Sequence, residues 1–420
     1  CSQFLSIIRS YVVFHNFPHF VTSEAQETCK KTIWGNMSTT RQKRQRGSCL
    51  FTIVFMVVAA SYFLGDTPPP KFARTYVMGV IMIIGVSKFI GTIFILIHDI
   101  FQFIIWIINK TPSQSNNPEN KISISRIDFL KKTALIASII PFSTLMFGVL
   151  KSAFDYTIHK QKLKIPNLPN AFKGLKIVQI SDIHTGSFIS KDPLEKAIKI
   201  IEDQQPDIIF FTGDLVNEIT EEALPFMDTL SKIKAPLGVF SILGNHDYGD
   251  YFYQKDDTEG KLHNYNLMKV VHKKLGWNLL LNKNYILKKD NERLAIIGVE
   301  NWGSELRFPK YGDIDKAKEG CLTDDVKLLL SHDPSHWDSH VTTNHPDIAA
   351  TFSGHTHGMQ FGIEIPGFKW SPSQYIYKNW AGLYAEKNQQ LYVNRGLGFL
   401  GYPGRVGILP EITVFTLSEA

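Results

Sequence analysis

The sequence predicts a layered α/β domain preceded by a helical membrane section. Short apolar runs recur through the second half of the chain, each ending at Gly or a polar residue. Helix-like segments at 192–204 and 220–233 follow the first two of these runs, an alternation that marks a mixed α/β layered domain. The first 150 residues are different, with long apolar stretches and few charges. A chain of 420 residues holds one domain of about 260 residues plus a separate front section.

The strand-like runs come in order. Residues 175–180 lead into Ser181-Asp182, 207–211 into Gly213-Asp214, and 239–243 into Gly244-Asn245. Residues 326–330 lead into Ser331-His332, and 348–352 into Ser353-Gly354-His355. Polar groups just past the carboxyl ends of strands are where ligand sites of layered α/β proteins gather. The glycines before Asp214, Asn245 and His355 permit sharp turns there.

The residue types at these ends suggest metals. Asp182 and Asp214 supply carboxylates, His184, His332, His355 and His357 supply imidazoles, and Asn245 supplies an amide oxygen, with His246 beside it. That mixture suits manganese, iron, zinc or nickel better than calcium. Two such cations, roughly 3.5–4 Å apart and sharing a carboxylate, hold the attacking and leaving oxygens of a displacement at phosphorus.

Asp182-Ile-His184, Gly213-Asp214, Gly244-Asn245-His246-Asp247, His332 and Gly354-His355-Thr-His357 together resemble the calcineurin-like metallophosphoesterase family. The resemblance covers roughly residues 160–418. It implies two packed mixed β-sheets flanked by helices, and a metal-dependent hydrolase of phosphoesters. It implies one cation on Asp182, His184, Asp214 and His357. A second would lie on Asp214, Asn245, His332 and His355, with Asp214 bridging. His246 would be the general acid or a transition-state stabiliser, and Asp247 would orient it. The flanking residues, such as Leu330-Ser331-His332-Asp333-Pro334-Ser335-His336-Trp337, are most similar to the membrane-anchored bacterial branch. That branch includes phosphodiesterases and relatives that cleave the pyrophosphate of UDP-diacylglucosamine in lipid A synthesis.

Other polar residues have two readings each. Asn301, Asn394 and Arg395 follow apolar runs and either reach a substrate phosphate or bond within their loops. Asp333 is either a partner of the site or a helix N-cap ahead of Pro334. His336, His340 and His345 are read as surface or helix-end residues, and His263 and His272 as solvated positions on a helix at 261–275. The Gly- and aromatic-rich stretches 361–384 and 396–404 either wall the substrate, touch lipid or pack as ordinary loops.

Net charge is +6, but the one dense basic run, 41–46, precedes an apolar segment and reads as a membrane flank, so no nucleic-acid partner is expected. Of four cysteines only Cys321 lies in the second half, and no disulfide framework is implied. The expected organisation is an N-terminal segment (1–48), membrane helices (49–150), a linker (151–170) and the metallophosphoesterase domain (171–420). Spans are expected at 49–65, 76–108 and 129–150, with a weaker candidate at 4–20. Lys88 would face another helix or reach the interface. Met37 is a plausible start, with 1–36 a remnant, a processed segment or an upstream extension.

Loops 21–48 and 109–132 carry more Lys and Arg than 66–75. This places them in the cytoplasm and the α/β domain outside a multi-pass cytoplasmic (inner) membrane. The expected partners are the bilayer and a phosphoester substrate, lipid-linked or from the envelope. Two other classes fit the sequence less well: a non-catalytic metal-binding membrane module, because Asn245-His246-Asp247 is intact, and a transporter with an accessory domain, because the spans are few and carry no paired charges.

Overall fold

A computed structural model describes residues 71–109, 124–304 and 309–420. The apolar segments expected at 4–20 and 49–65 lie outside these residues. The described residues form two long apolar helices, two six-stranded sheets and a separate two-stranded hairpin.

Helix α1 (Lys71–Asn109) has 39 residues and α2 (Ile124–Leu150) has 27. At 1.5 Å per residue α1 is roughly 58 Å long, well beyond the ~30 Å hydrocarbon core of a bilayer. Both expose large apolar side chains along their length, including Phe89, Phe101, Phe129 and Ile140. Lys88 lies on the exposed side of α1. The helices pack together where Gly91 leaves room for Ser138; a Cβ at Gly91 would collide with the Ser138 hydroxyl. Both meet the same loop of the α/β domain. Gly79 of α1 lies against Pro403, and Gly148 of α2 against Tyr402 and Val406. The helix ends at Asn109 and Ile124 are therefore the ones remote from the domain.

The first sheet comprises β1 (Thr157–Ile165), β2 (Lys176–Ile180), β3 (Ile208–Phe211), β4 (Val239–Ser241), β5 (Asn278–Leu279) and β14 (Glu411–Glu419). Their order is β1-β14-β2-β3-β4-β5. The second comprises β6 (Lys283–Lys289), β7 (Glu292–Gly298), β8 (Val326–Leu330), β9 (Ile348–Ser353), β12 (Gly382–Glu386) and β13 (Gln389–Val393), in the order β12-β13-β9-β8-β7-β6. Both are mixed. β2, β3 and β4 run parallel, as do β7, β8, β9 and β13, while β14 pairs antiparallel to β2.

The sheets pack face to face. Ile177, Phe210, Phe240 and Phe415 from the first interleave with Ile296, Leu328 and Phe352 from the second, all fully buried. The first sheet's outer face is covered by α3 (Asp192–Asp203) and α4 (Thr258–Leu275). α3 buries Leu194, Ala197, Ile198 and Ile201, the i, i+3, i+4, i+7 stripe of an amphipathic helix. Strands buried on both faces read as apolar runs without alternation, as in β3 (Ile-Ile-Phe-Phe), and β8 departs from this only at Lys327.

The hairpin joins β10 (Ile363–Ile365) to β11 (Phe368–Trp370) through Pro366-Gly367, with Gly367 at φ 80°. It stands outside both sheets, between the last site residues of β9 and strand β12.

Candidate metal centre

The carboxyl ends of β2, β3 and β4 in one sheet face those of β8 and β9 in the other. This places two side-chain clusters. Asp182, His184 and His357 form one, and Asp214, His332 and His355 the other, with ligand atoms inside each lying within 4.8 Å of one another. His184 Nε2 is 3.6 Å from Asp214 Oδ2 and His332 Nε2 is 3.2 Å from the same oxygen, so Asp214 connects the clusters.

The backbone bends hard to achieve this. Asp182 (φ 51°), His184 (φ 51°), Asp214 (φ 60°), His355 (φ 73°) and His357 (φ 50°) are left-handed. That conformation costs a residue with a Cβ about 1–2 kcal/mol, and such strain gathers at functional sites. Two glycines admit the close approach: a Cβ at Gly354 would strike Ser181 Oγ and Asp182 Oδ2, and one at Gly244 would strike Asp214 Oδ1.

Tautomers decide what the rings present. His184 Nδ1 is 3.0 Å from Val216 O, and His332 Nδ1 is 2.7 Å from Thr212 O. A carbonyl only accepts, so both rings carry their proton on Nδ1 and aim an Nε2 lone pair inward. His184 Nε2 meets His357 Nε2 at 3.0 Å, and His332 Nε2 meets the Asp214 carboxylate. The Arg405 guanidinium donates to His357 Nδ1 (3.3 Å), so His357 Nε2 carries a proton toward the His184 lone pair, while His332 Nε2 and the Asp214 carboxylate need a positive charge, a proton or a cation, between them. Among the described residues, the buried Asn245 Oδ1 and His332 Nε2 have no hydrogen-bond partner. Oxygen and imidazole donors arranged this way fit borderline divalent cations.

The electrostatics agree. Burial works to raise the Asp182 carboxyl, but His357 and His332 outweigh it and hold it well below the usual carboxylate range. At Asp214 burial is again outweighed, by His332 and His246. Burial opposes charge on His332, yet Asp214 raises that imidazole to about 10, a proton doing the neutralising that a cation would do. Burial keeps His184 well below its ordinary value.

His246 flanks the clusters. Its N–H donates to Asp214 Oδ1 (2.9 Å), its ring Nδ1 lies 2.6 Å from Asn217 O, and its ring stacks on Tyr251 at 4.3 Å. With Nδ1 committed to a carbonyl, Nε2 is the nitrogen that takes and gives a proton.

Several expectations need correction. Asp247, expected to orient His246, accepts instead from the backbone N–H groups of Gly244, Asp214, Leu215 and Val216, and so braces the loop that carries Asp214. The peptide carbonyl of Asn217 holds His246 in its place. Arg395, read as reaching a phosphate or bonding within its loop, does neither but is buried between Glu411 (2.5 Å) and Glu364 (2.6 Å). Asn394 bonds Thr413 Oγ1 and the N–H of Gly396, closing a loop. Asn301 is buried, and among the described residues its side-chain oxygen and nitrogen lack partners. His336 is not a surface residue but lies fully buried and stacked on Trp302 at 4.3 Å; His272 is likewise buried, 2.9 Å from Ser241 Oγ.

Asp333 serves both readings: Oδ1 accepts from the Ser335 N–H and Oδ2 lies 3.5 Å from His355 Nε2. Sequence reasoning missed Tyr377, whose hydroxyl is 2.8 Å from His355 Nε2, and Arg405, whose guanidinium is 3.3 Å from His357 Nδ1. Neither has a motif. For Arg405 the signal was a lone charged group in the Gly- and aromatic-rich loop 396–407, while Tyr377 lies among several polar residues and had none.

A fold of paired mixed sheets with an Asp/His/Asn cluster at its strand ends defines a metal-dependent hydrolase. The model described as "Calcineurin-like phosphoesterase" matches residues 175–359, and one described as "Probable Calcineurin-like phosphoesterase, transmembrane domain" matches residues 6–153. The metallophosphoesterase YkuE of Bacillus subtilis is 30% identical over 265 residues, spanning 61% of this chain and 84% of that one. A "Transmembrane protein with metallophosphoesterase domain" from Danio rerio is 27% identical over 330 residues, spanning 76% of this chain and 70% of the relative. The "UDP-2,3-diacylglucosamine pyrophosphatase LpxG" of Chlamydia trachomatis is 29% identical over 286 residues, spanning 55% and 81%. The chain belongs to the calcineurin-like metallophosphoesterase family, whose likeness here spans bacterial and animal proteins. It is a membrane protein and a hydrolase of phosphoester bonds.

Proposed function

We propose that this chain cleaves a phosphodiester or pyrophosphate bond in a lipid-linked or envelope molecule, outside the cytoplasmic membrane in which it is anchored by several spans. The observation that carries the reading is the pair of buried clusters joined at Asp214, with inward ring lone pairs. Asp182, His184, Asp214 and His357 would hold one divalent cation, and Asp214, Asn245, His332 and His355 the other. Manganese, iron and zinc all suit these donors.

Two bound cations supply a nucleophilic water near neutral pH and offset charge on the phosphoryl oxygens. The chain's own residues do the rest. His246, steadied by Asn217 O and Tyr251, donates a proton from Nε2 to the leaving oxygen. Asp247 keeps Asp214 and its loop in register for both cations. Asp333 and Tyr377 orient His355. Asn301 is the remaining candidate for a polar contact to substrate.

The placement outside the cytoplasm rests on charge. Lys131 and Lys132 lie on the half of α2 remote from the domain, and the loops with more Lys and Arg are retained on the cytoplasmic side. A second reading, a pyrophosphatase of the UDP-2,3-diacylglucosamine type, is favoured by the likeness to the Chlamydia protein of that name.

The test is a hydrolysis screen of the full chain in nanodiscs, with manganese, iron or zinc against a chelator. Substrates are nucleotide-sugar lipids, phospholipids and simple diesters. Metal-dependent release from a diester or pyrophosphate is expected. Bound cations with no turnover on any phosphoester would leave a non-catalytic module.

A further inference from the structure

The β10–β11 hairpin distributes its side chains the wrong way round for a hairpin on a water-soluble surface. Cross-strand partners share a face, so Ile363, Trp370, Ile365 and Phe368 lie on one side and Glu364 and Lys369 on the other. The polar side is the one held by the protein. Glu364 forms a two-pronged pair with Arg395 (3.1 and 2.6 Å), and Lys369 donates to Ala381 O (2.5 Å) and lies 4.9 Å from the Trp380 ring. The apolar side faces outward: Ile363, Ile365 and Phe368 are 49%, 58% and 52% exposed. A two-stranded ribbon is marginal unless a face is packed, and an outward apolar face marks an interaction surface.

What covers that face follows from where the hairpin is rooted. Just before β10, Gly362 N–H donates to Val406 O (2.8 Å) and Val406 N–H donates to Gln360 O (2.7 Å). Segment 402–406 in turn seats on α2: the Tyr402 hydroxyl donates to Leu145 O, Arg405 N–H donates to Gly148 O (3.3 Å), and Pro403 lies against Gly79 of α1. The hairpin thus grows from the loop that meets both apolar helices, at the end where they join the domain. A soluble protein partner would need no such root.

We infer that this hairpin is a second membrane contact, its Ile363/Ile365/Phe368 face lying in the interfacial layer of the same bilayer that α1 and α2 cross. His357 precedes β10 by a few residues, and Arg395 links the hairpin's polar face to Glu411 beneath the site. The contact therefore sets the metal centre at the height of lipid headgroups.

The test uses the full chain in nanodiscs of phosphatidylglycerol and phosphatidylcholine carrying a photoactivatable phospholipid, with cross-links mapped by mass spectrometry. Adducts are expected on peptide 363–370 as well as on the two helices; adducts confined to the helices overturn the proposal. Depth is read separately, with an environment-sensitive fluorophore on Ile365→Cys in a background free of the four native cysteines. Ile363→Cys, on the same face, serves if that variant is unstable, and Leu322→Cys, ahead of β8 and exposed, is the reference. Nitroxide lipids should quench the hairpin label and spare the reference. Equal quenching at both positions sinks the idea. Both readouts report lipid contact and not turnover, so they stand or fall apart from the hydrolysis screen.

Discussion

Two neighbouring stretches of this chain break the usual partition of side chains in opposite directions. Residues 354–360 bury polar groups, with His357 nearly sealed from solvent, while residues 363–368 put Ile363, Ile365 and Phe368 outside. Burying an imidazole or exposing an isoleucine is unfavourable unless something else is present. In the first stretch the missing partner has to be positive, because ring lone pairs and carboxylates converge. In the second it has to be apolar and extended. The comparison teaches that a departure from the hydrophobic rule has a sign, and the sign names the kind of partner.

Asp214→Ala breaks the first half of that comparison most severely. Its carboxylate lies beside both His184 and His332, so both cations should be lost together in elemental analysis. Turnover should fall by more than the roughly 100-fold that altering an outer hydrogen-bond partner of a metal ligand costs. Two retained equivalents of cation would remove Asp214 from the shared position. His246→Ala comes next. It should keep both cations and lose about 10²–10⁴-fold in kcat, most on substrates with a poor leaving group. Unchanged rates on such a substrate would end its role as the acid.

The third prediction separates site from scaffold. Arg395→Met leaves Glu411 buried without its partner, and breaking such a pair costs about 3–5 kcal/mol. A clear drop in thermal midpoint is expected, with little change in KM for a soluble diester once the variant is held well below that midpoint. A raised KM with unaltered stability would instead put Arg395 on the substrate.

These outcomes bear on what a sequence can and cannot disclose. The strand ends were legible because largely buried strands leave short, mostly apolar runs, unbroken in β3 and interrupted only by Gln179 in the buried part of β2 and Lys327 in β8, and because Asp, His and Asn are costly to bury without a purpose. The two long described helices were equally legible, although α1 begins at Lys71 and α2 at Ile124, before the apolar runs that announced them. What stayed hidden depends on which long-range partner a side chain finds. Arg395 was left open between a phosphate contact and a loop bond because nothing in its neighbourhood announces Glu364, 31 residues earlier in the chain. Asp247 follows His246 directly, yet adjacent residues in a tight turn point apart, and its carboxylate meets the backbone of the Asp214 loop. The hairpin's alternation stands in its sequence, but which of its two exposed faces bonds to the domain is settled only by tertiary contacts.

His272 tests whether polar burial alone resembles a site. Like His332 it is fully buried, but among the described residues no carboxylate faces it, and burial lowers its imidazole to about 3 where Asp214 raises His332 to about 10. A neutral ring in the fold that would titrate near 6.5 when unfolded binds its proton preferentially in the unfolded chain. Its contribution is therefore complete above pH 6.5 and is lost as the pH falls from 6.5 toward 3, at up to about 1.4 kcal/mol per pH unit. His272→Gln keeps a partner for Ser241 but cannot take up that proton. The gap in thermal midpoint between the native chain and this variant should narrow steadily as pH falls through that window. A gap that does not change with pH would mean that His272 takes up its proton in the fold as readily as in the unfolded chain, and that burial without a carboxylate is not what separates it from His332.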